Sequence, residues 1–243
     1  MSSSGPGMIP SEEKIKQVQS FFDRVAKRYD LMNTILSFGL HHAWKRTAVR
    51  LLSPGEGDRV IDVCGGTGDL ALLSAEHLGS SGRVILYDMN RAMIDAGRPR
   101  IERSAFRDRI VFLQGDAEKI SFHDSCFDAA VVGFGIRNLG HMEAGLREMH
   151  RVIKPGGKLL CLEFSNPPSS LFRALYDLYS FHVIPFLGTL VAGSRDAYSY
   201  LTESIRVFPS PEKLAALMRD IGFRKVIYKR LTMGIATVHL GKK

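Results

Sequence analysis

VIDVCGGTGDLA, from Val60 to Ala71, sets an apolar run against a glycine-rich turn and then a helix-forming run. The apolar run reads as a buried strand. Gly66, Gly68 and Ala71 satisfy a GxGxxA fingerprint, in which glycines let backbone approach a ligand and the following helix offers free N–H groups. One residue does not fit a plain core strand: Asp62, four positions before Gly66. A carboxylate there is costly unless a cation or donors meet it.

The same rhythm continues outward. GRVILYDM, RIVFLQGD, FDAAVVG and KLLCLEFS read as strands. DLALLSAEHL, part of NRAMIDAGRPRIERS, and HMEAGLREMHRVI read as helices. Strand–helix alternation with nearly all-apolar strands predicts a parallel sheet covered on both faces, and right-handed crossovers make it doubly wound. SNPPSS breaks the rhythm at 165–170, and an aromatic-rich helical stretch follows to Phe208. SPEKLAALMRDIG is a capped amphipathic helix, with Ser210 at the N-cap, Pro211 at the first position and Gly222 at the end. FRKVIYKRL and MGIATVHLGKK form a closing hairpin. Upstream, apolar residues at 18, 21, 22, 25, 29 and 32 have helical spacing. The expected organisation is a disordered tail over 1–10, a helical cap over 11–52, and an α/β domain over 53–243 carrying a helical lid insertion at 166–209.

The 243 residues are 45% hydrophobic and suit one domain with an appendage. No apolar run is long enough to span a bilayer, and MSSSGPGMIPSEEK lacks the parts of a signal peptide. Cys64, Cys126 and Cys161 lie far apart without a CxxC pair, so no metal site is expected and a reducing cytoplasm fits. The net charge of +8 suits a solvated basic face or attraction to an anionic membrane surface. No nucleic-acid signature accompanies it.

Asp88 closes the second strand, 20 residues after Gly68, where a carboxylate can accept both hydroxyls of a ribose. Asp116, in GDAE after the third strand, can hold an adenine amino group or simply form a turn. NAD would bring a pyrophosphate to the glycine loop; S-adenosylmethionine would bring an amino group and a sulfonium. Asp62 with Asp69 disfavours the anion and favours the zwitterionic cation. The NAD-dependent oxidoreductase reading also lacks a Tyr-x-x-x-Lys pair.

DVCGGTGD, the acidic end of strand two, GDAEKISF and RVIKPGGKLL resemble a class I S-adenosylmethionine-dependent methyltransferase. Tyr29-Asp30-Leu31-Met32-Asn33 running on to Ser37, His41 and Trp44, and Arg151 to Gly157 running on to Glu163 and Ser165, resemble the two signatures of the ubiquinone/menaquinone biosynthesis C-methyltransferase family. FGIRN, YSFHVIPFLG, SYLTESIRVFP and LTMGIATVHLG extend the likeness to the C-terminus. The resemblance implies a Rossmann-like α/β fold with a mostly parallel seven-stranded sheet and helices on both faces. It implies S-adenosylmethionine as cofactor, in contact with Thr67, Asp88, Asp116 and Ala117; Asp62, Gly65, Gly66, Gly68, Met89 and Gly133 complete the expected cofactor site. The substrate it implies is a polyprenyl quinol methylated on a ring carbon.

Glycine at 133, where members acting on both quinone precursors often carry serine, resembles the menaquinone-only members, so demethylmenaquinol is the expected acceptor. The methoxy-benzoquinol precursor of ubiquinone is the alternative, and another small hydrophobic acceptor or a non-catalytic binding protein comes after it. Met233 stands where a glycine is common. Arg137, Asn138, Tyr29 and His182 are the candidate catalytic residues. Arg137 is too basic to be a literal base but can favour a quinolate, or can be a structural ion-pair partner. His182, His41 and Trp44 have packing as the alternative reading. The lid is read either as a core layer or as a greasy tunnel for a polyprenyl tail. A cytoplasmic enzyme touching the membrane peripherally, and a homodimer, complete the expectations.

Overall fold

The computed structural model describes residues 11–192 and 194–243; the tail expected over 1–10 lies outside the described residues. Seven strands form one sheet: β1 Arg59–Val63, β2 Arg83–Asp88, β3 Ile110–Gln114, β4 Phe127–Gly133, β5 Ile153–Phe164, β6 Arg224–Leu231 and β7 Ala236–Lys242. Their order is β3-β2-β1-β4-β5-β7-β6. The first five run parallel, while β7 pairs antiparallel with both β5 and β6. The closing hairpin therefore does not simply extend the sheet: its second strand wedges in beside β5. Burial explains the choice. Residues Ala236 to His239 of β7 are all buried, whereas β6, rich in lysine and arginine, is mostly exposed and suits an edge.

Two apolar layers sandwich the sheet. On one face lie α3 (Leu40–Leu52), α4 (Asp69–Ala75) and α5 (Arg91–Glu102), contributing Trp44, Leu52, Ala71 and Ile101 among others. On the other lie α6 (Met142–Val152) and α10 (Pro211–Ile221), contributing Leu146, Met149, Leu214 and Met218. Ser210 caps α10 by accepting from the Lys213 N–H at 3.4 Å, Pro211 occupies the first turn, and Gly222 ends it with φ 123°.

The cap helices α1 (Ser11–Val25) and α2 (Tyr29–Leu36) and the lid share a third core of Val25, Met32, Ile184 and Tyr198. The lid comprises α7 (Ser170–Leu178), α8 (Ile184–Leu187) and α9 (Arg195–Val207). It contains two π-helical turns, at 179–183 and 188–192, which no 3.6-residue pattern predicts. No helix among the described residues is long and apolar enough to cross a membrane.

Candidate active site

The carboxyl ends of β1, β2 and β4 converge on one crevice. After β1 the chain turns through left-handed residues at Cys64 (φ 55°), Gly66 (φ 55°) and Gly68 (φ 85°). For Cys64 that conformation is strained, which marks a site held by its surroundings. Phe134 at the end of β4 repeats the feature with φ 58°. Helix α5 then packs directly on the glycine loop: a Cβ on Gly97 would lie 2.2 Å from the Thr67 carbonyl oxygen. Gly97 is part of the site's construction and carries no motif signal.

Asp62 is 1% exposed, and neither carboxylate oxygen has a hydrogen-bond partner among the described residues. Burial pushes its pKa up to about 8. Asp88 is also raised, to about 6, by burial. Its oxygens accept from the N–H groups of Gly66 (2.8 Å) and Asn90 (2.7 Å), leaving further lone pairs for hydroxyls. Asp116 Oδ1 accepts from the Glu118 N–H at 2.8 Å. It is a turn-former and a crevice residue at once, beside Met89 and Ala117.

Asp69 departs from its expected role. Burial alone would raise its pKa, but Lys45 Nζ and Arg100 Nη2, each 2.5 Å away, pull it down to about 2. Its charge is already neutralised, whereas Asp62 has no ion-pair partner among the described residues. Thr67 Oγ1 donates to Asp30 Oδ1 at 2.6 Å, tying the loop to the helical cap. A buried carboxyl group behind a glycine loop, with no ion-pair partner among the described residues, suits an ammonium, whose charge would favour its ionised form, and offers no counter-charge to a pyrophosphate. These residues therefore fit S-adenosylmethionine, the methyl donor, better than NAD.

An apolar cavity adjoins the crevice. Phe22, Trp44, Phe164, Tyr179 and Leu201 supply much of its wall. Tyr29 and Phe134 line the cavity and both parts of the crevice, so the two spaces meet there. Asn138 lines both as well; its Oδ1 accepts from the Tyr200 hydroxyl at 3.3 Å, leaving the amide N–H groups available. Gly133 lies on the crevice side and does not line the apolar cavity. A Cβ there would meet Leu70 Cδ1 at 2.5 Å, the far end of a flexible side chain.

Arg137 lines the cavity while pairing with Glu163 at 2.8 Å; both are nearly buried. It also donates to the Phe134 carbonyl and lies over the Phe164 ring. Burial raises the Glu163 pKa, and Arg137 opposes that. The structural and site readings of Arg137 thus coexist. Glu163 was legible by the logic applied to Asp62, as the lone charge in LLCLEF.

His182 is a correction. It is exposed on the lid, with Nδ1 3.1 Å from the Leu178 carbonyl, and does not line the cavity. The π-helical turn widens the spiral, so a residue three after the inward Tyr179 is no longer stacked over it. His41 and Trp44, by contrast, line the cavity. His41, His42 and Asp69 bring ligand atoms within 4.8 Å of one another, but a metal there would have to displace Lys45 from Asp69. Cys161 is buried, and burial pushes its thiol pKa well up, as a small core residue requires.

Met233 also gains an account. It is 65% exposed and sits at φ 54° in the turn between β6 and β7, a left-handed position that favours glycine.

A SAM-dependent methyltransferase from Thermotoga maritima superposes with TM-score 0.65 at 22% identity, covering 92% of this chain and 99% of that one. The cyclase SpnF superposes with TM-score 0.70 at 14% identity, covering 100% and 99%. These likenesses establish the fold; a cyclase among them shows that the fold does not dictate the reaction. Sequence similarity is more discriminating. The ubiquinone/menaquinone biosynthesis C-methyltransferase UbiE of Methylococcus capsulatus is 46% identical over 235 residues, 97% of this chain and 95% of that protein. The model of the ubiE/COQ5 methyltransferase family matches residues 10–243. Identity at that level over nearly the full length of both proteins reaches well beyond a shared fold: the chain belongs to the ubiE/COQ5 methyltransferase family.

Proposed function

We propose that this methyltransferase methylates a ring carbon of a polyprenyl quinol, with demethylmenaquinol as the preferred acceptor. The observation that carries the reading is an aromatic, apolar cavity meeting the cofactor crevice at Tyr29 and Phe134. It suits a flat ring with a hydrocarbon tail. S-adenosylmethionine supplies an already activated methyl group. The chain must hold it, align the ring and exclude water. Asp62 with Gly65, Gly66 and Gly68 would hold the amino-acid end. Thr67 would support the loop, Asp88 would take the ribose hydroxyls, and Met89, Asp116 and Ala117 would frame the adenine. Gly133 would leave room where Phe134 separates the two ligands.

A quinol carbon becomes nucleophilic as its hydroxyl loses a proton. Arg137 would favour that anion, its own charge being tempered by Glu163. Asn138 would hold a hydroxyl or a water, and Tyr29 would orient the ring at the junction. The preference for demethylmenaquinol rests on glycine at 133.

The acceptor dissolves in membranes, and the lid presents a matching surface. Leu171, Leu175, Leu178, Phe186 and Leu190 are exposed, as is Phe38, which also lines the cavity. This face would rest on an anionic membrane surface from the cytoplasmic side, and the tail would leave the cavity past Phe38.

The test is methyl transfer from labelled S-adenosylmethionine to demethylmenaquinol and to the methoxy-benzoquinol precursor, side by side. Faster turnover of demethylmenaquinol is expected. Equal or faster turnover of the benzoquinol overturns the preference, and no transfer to either overturns the reading.

A further inference from the structure

Ser37 and His41 fix a hydrogen-bond polarity inside the apolar cavity. Ser37 carries one hydroxyl proton, and its Oγ lies 2.6 Å from the Asn33 carbonyl oxygen. A carbonyl can only accept, so the proton goes there. Ser37 Oγ then meets His41 Nδ1, 2.8 Å away, as an acceptor. Nδ1 therefore carries the ring proton. In a neutral imidazole the other nitrogen, Nε2, is then a bare acceptor.

The imidazole is neutral. Burial, then Lys45 and His42, lower its pKa to about 4, with Asp69 opposing. These groups face it from both packed elements: the His42 ring at 3.8 Å and Lys45 from its own helix, and Asp69 from α4. His41 is 3% exposed and lines the cavity, and Nε2 has no hydrogen-bond partner among the described residues.

A quinol and its quinone share the ring system and the tail, so apolar contacts cannot separate them. They differ in polarity: a quinol hydroxyl donates, and a quinone oxygen only accepts. Only the quinol has an electron-rich ring carbon that can take a methyl group; the quinone would occupy the cavity unproductively. We propose that His41, its tautomer set by Ser37, selects the reduced quinol over the oxidised quinone through Nε2. The inference rests on the quinol reading above. A site that hydrogen-bonds a substrate hydroxyl rejects the analogue lacking it far better than an apolar pocket can.

The experiment compares one short-tail 2-prenyl-1,4-naphthoquinone with its quinol, under anaerobic conditions, on the full chain with S-adenosylhomocysteine bound. The wild type should bind the quinol about tenfold to a hundredfold more tightly. His41→Gln, which can turn an N–H toward the ligand, should bring the ratio to within about threefold of unity. Ser37→Ala, which frees the tautomer, should narrow it. Thermal stability and cofactor affinity of each variant report on folding; where His41→Gln is unstable, Ser37→Ala carries the comparison. A wild-type ratio near one with methyl transfer to the quinol intact overturns this inference alone. So does an unchanged ratio in a folded variant. Binding of neither form, with no methyl transfer to either quinol, overturns the quinol reading and this inference with it.

Discussion

Replacing Asp62 by asparagine should stabilise the cofactor-free protein at alkaline pH and weaken cofactor binding. The unfolded chain gives up the Asp62 proton near pH 3.9, whereas the folded chain holds it to about pH 8. Between those values the native state binds more protons than the unfolded state, so stability falls as pH rises. From pH 5 to pH 8 the loss is about three pH units at ~1.4 kcal/mol each, or ~4 kcal/mol. The Asp62→Asn side chain cannot ionise and escapes it. The variant should therefore match the wild type within about 1–3 kcal/mol at pH 5, the range set by an amide that still lacks partners. Its advantage should grow by ~4 kcal/mol towards pH 8, roughly 8–16 °C in Tm for a chain of this size. Asp88 titrates in both proteins, and its charge adds to the Asp62 shift in the wild type alone. Urea denaturation at pH 5, 6.5 and 8, with and without S-adenosylmethionine, measures this directly. Adding cofactor should reverse the order, because its amino group meets the unpaired carboxylate of the wild type alone. Parallel stability–pH curves for the two proteins would refute the burial reasoning, and equal cofactor affinity would remove Asp62 from the binding site.

Three other substitutions test separate parts of the site. Glu163→Gln leaves the Arg137 guanidinium buried without its counter-charge and should cost about 3–5 kcal/mol in urea denaturation; Arg137→Met together with Glu163→Gln should recover much of that loss. Gly97→Ala drives a methyl group into the Thr67 carbonyl; calorimetric titration should show at least tenfold weaker cofactor binding, an effect larger than that of any alanine on the outer face of α5. Met233→Gly relieves a left-handed residue at an exposed turn and should raise stability by ~0.5–1 kcal/mol without altering turnover, since strain relief exceeds the added freedom of the unfolded chain.

The alternation of apolar strands and amphipathic helices specified a doubly wound sheet, because a parallel strand buried on both faces must be apolar throughout. Asp62 stood out for the same reason, and among the described residues it has no ion-pair partner. Asp69 looked equivalent and is not. Its neutralisation by Lys45 and Arg100 joins a carboxylate to residues 24 positions before it and 31 after it, and sequence spacing carries no sign of that. His182 lies outside the cavity for a local reason: the π-helical turn at 179–183 takes it out of 3.6-residue register.

The sequence by itself determined the fold class, the glycine loop, the acidic strand ends and the family, since each is written in short-range pattern or in long matching strings. Tertiary structure alone decided which charges are neutralised, which face of the lid turns inward, and that β7 lies between β5 and β6. Those depend on where distant segments meet. A buried carboxylate takes its charge from the groups packed against it, and for Asp69 both of those are remote along the chain.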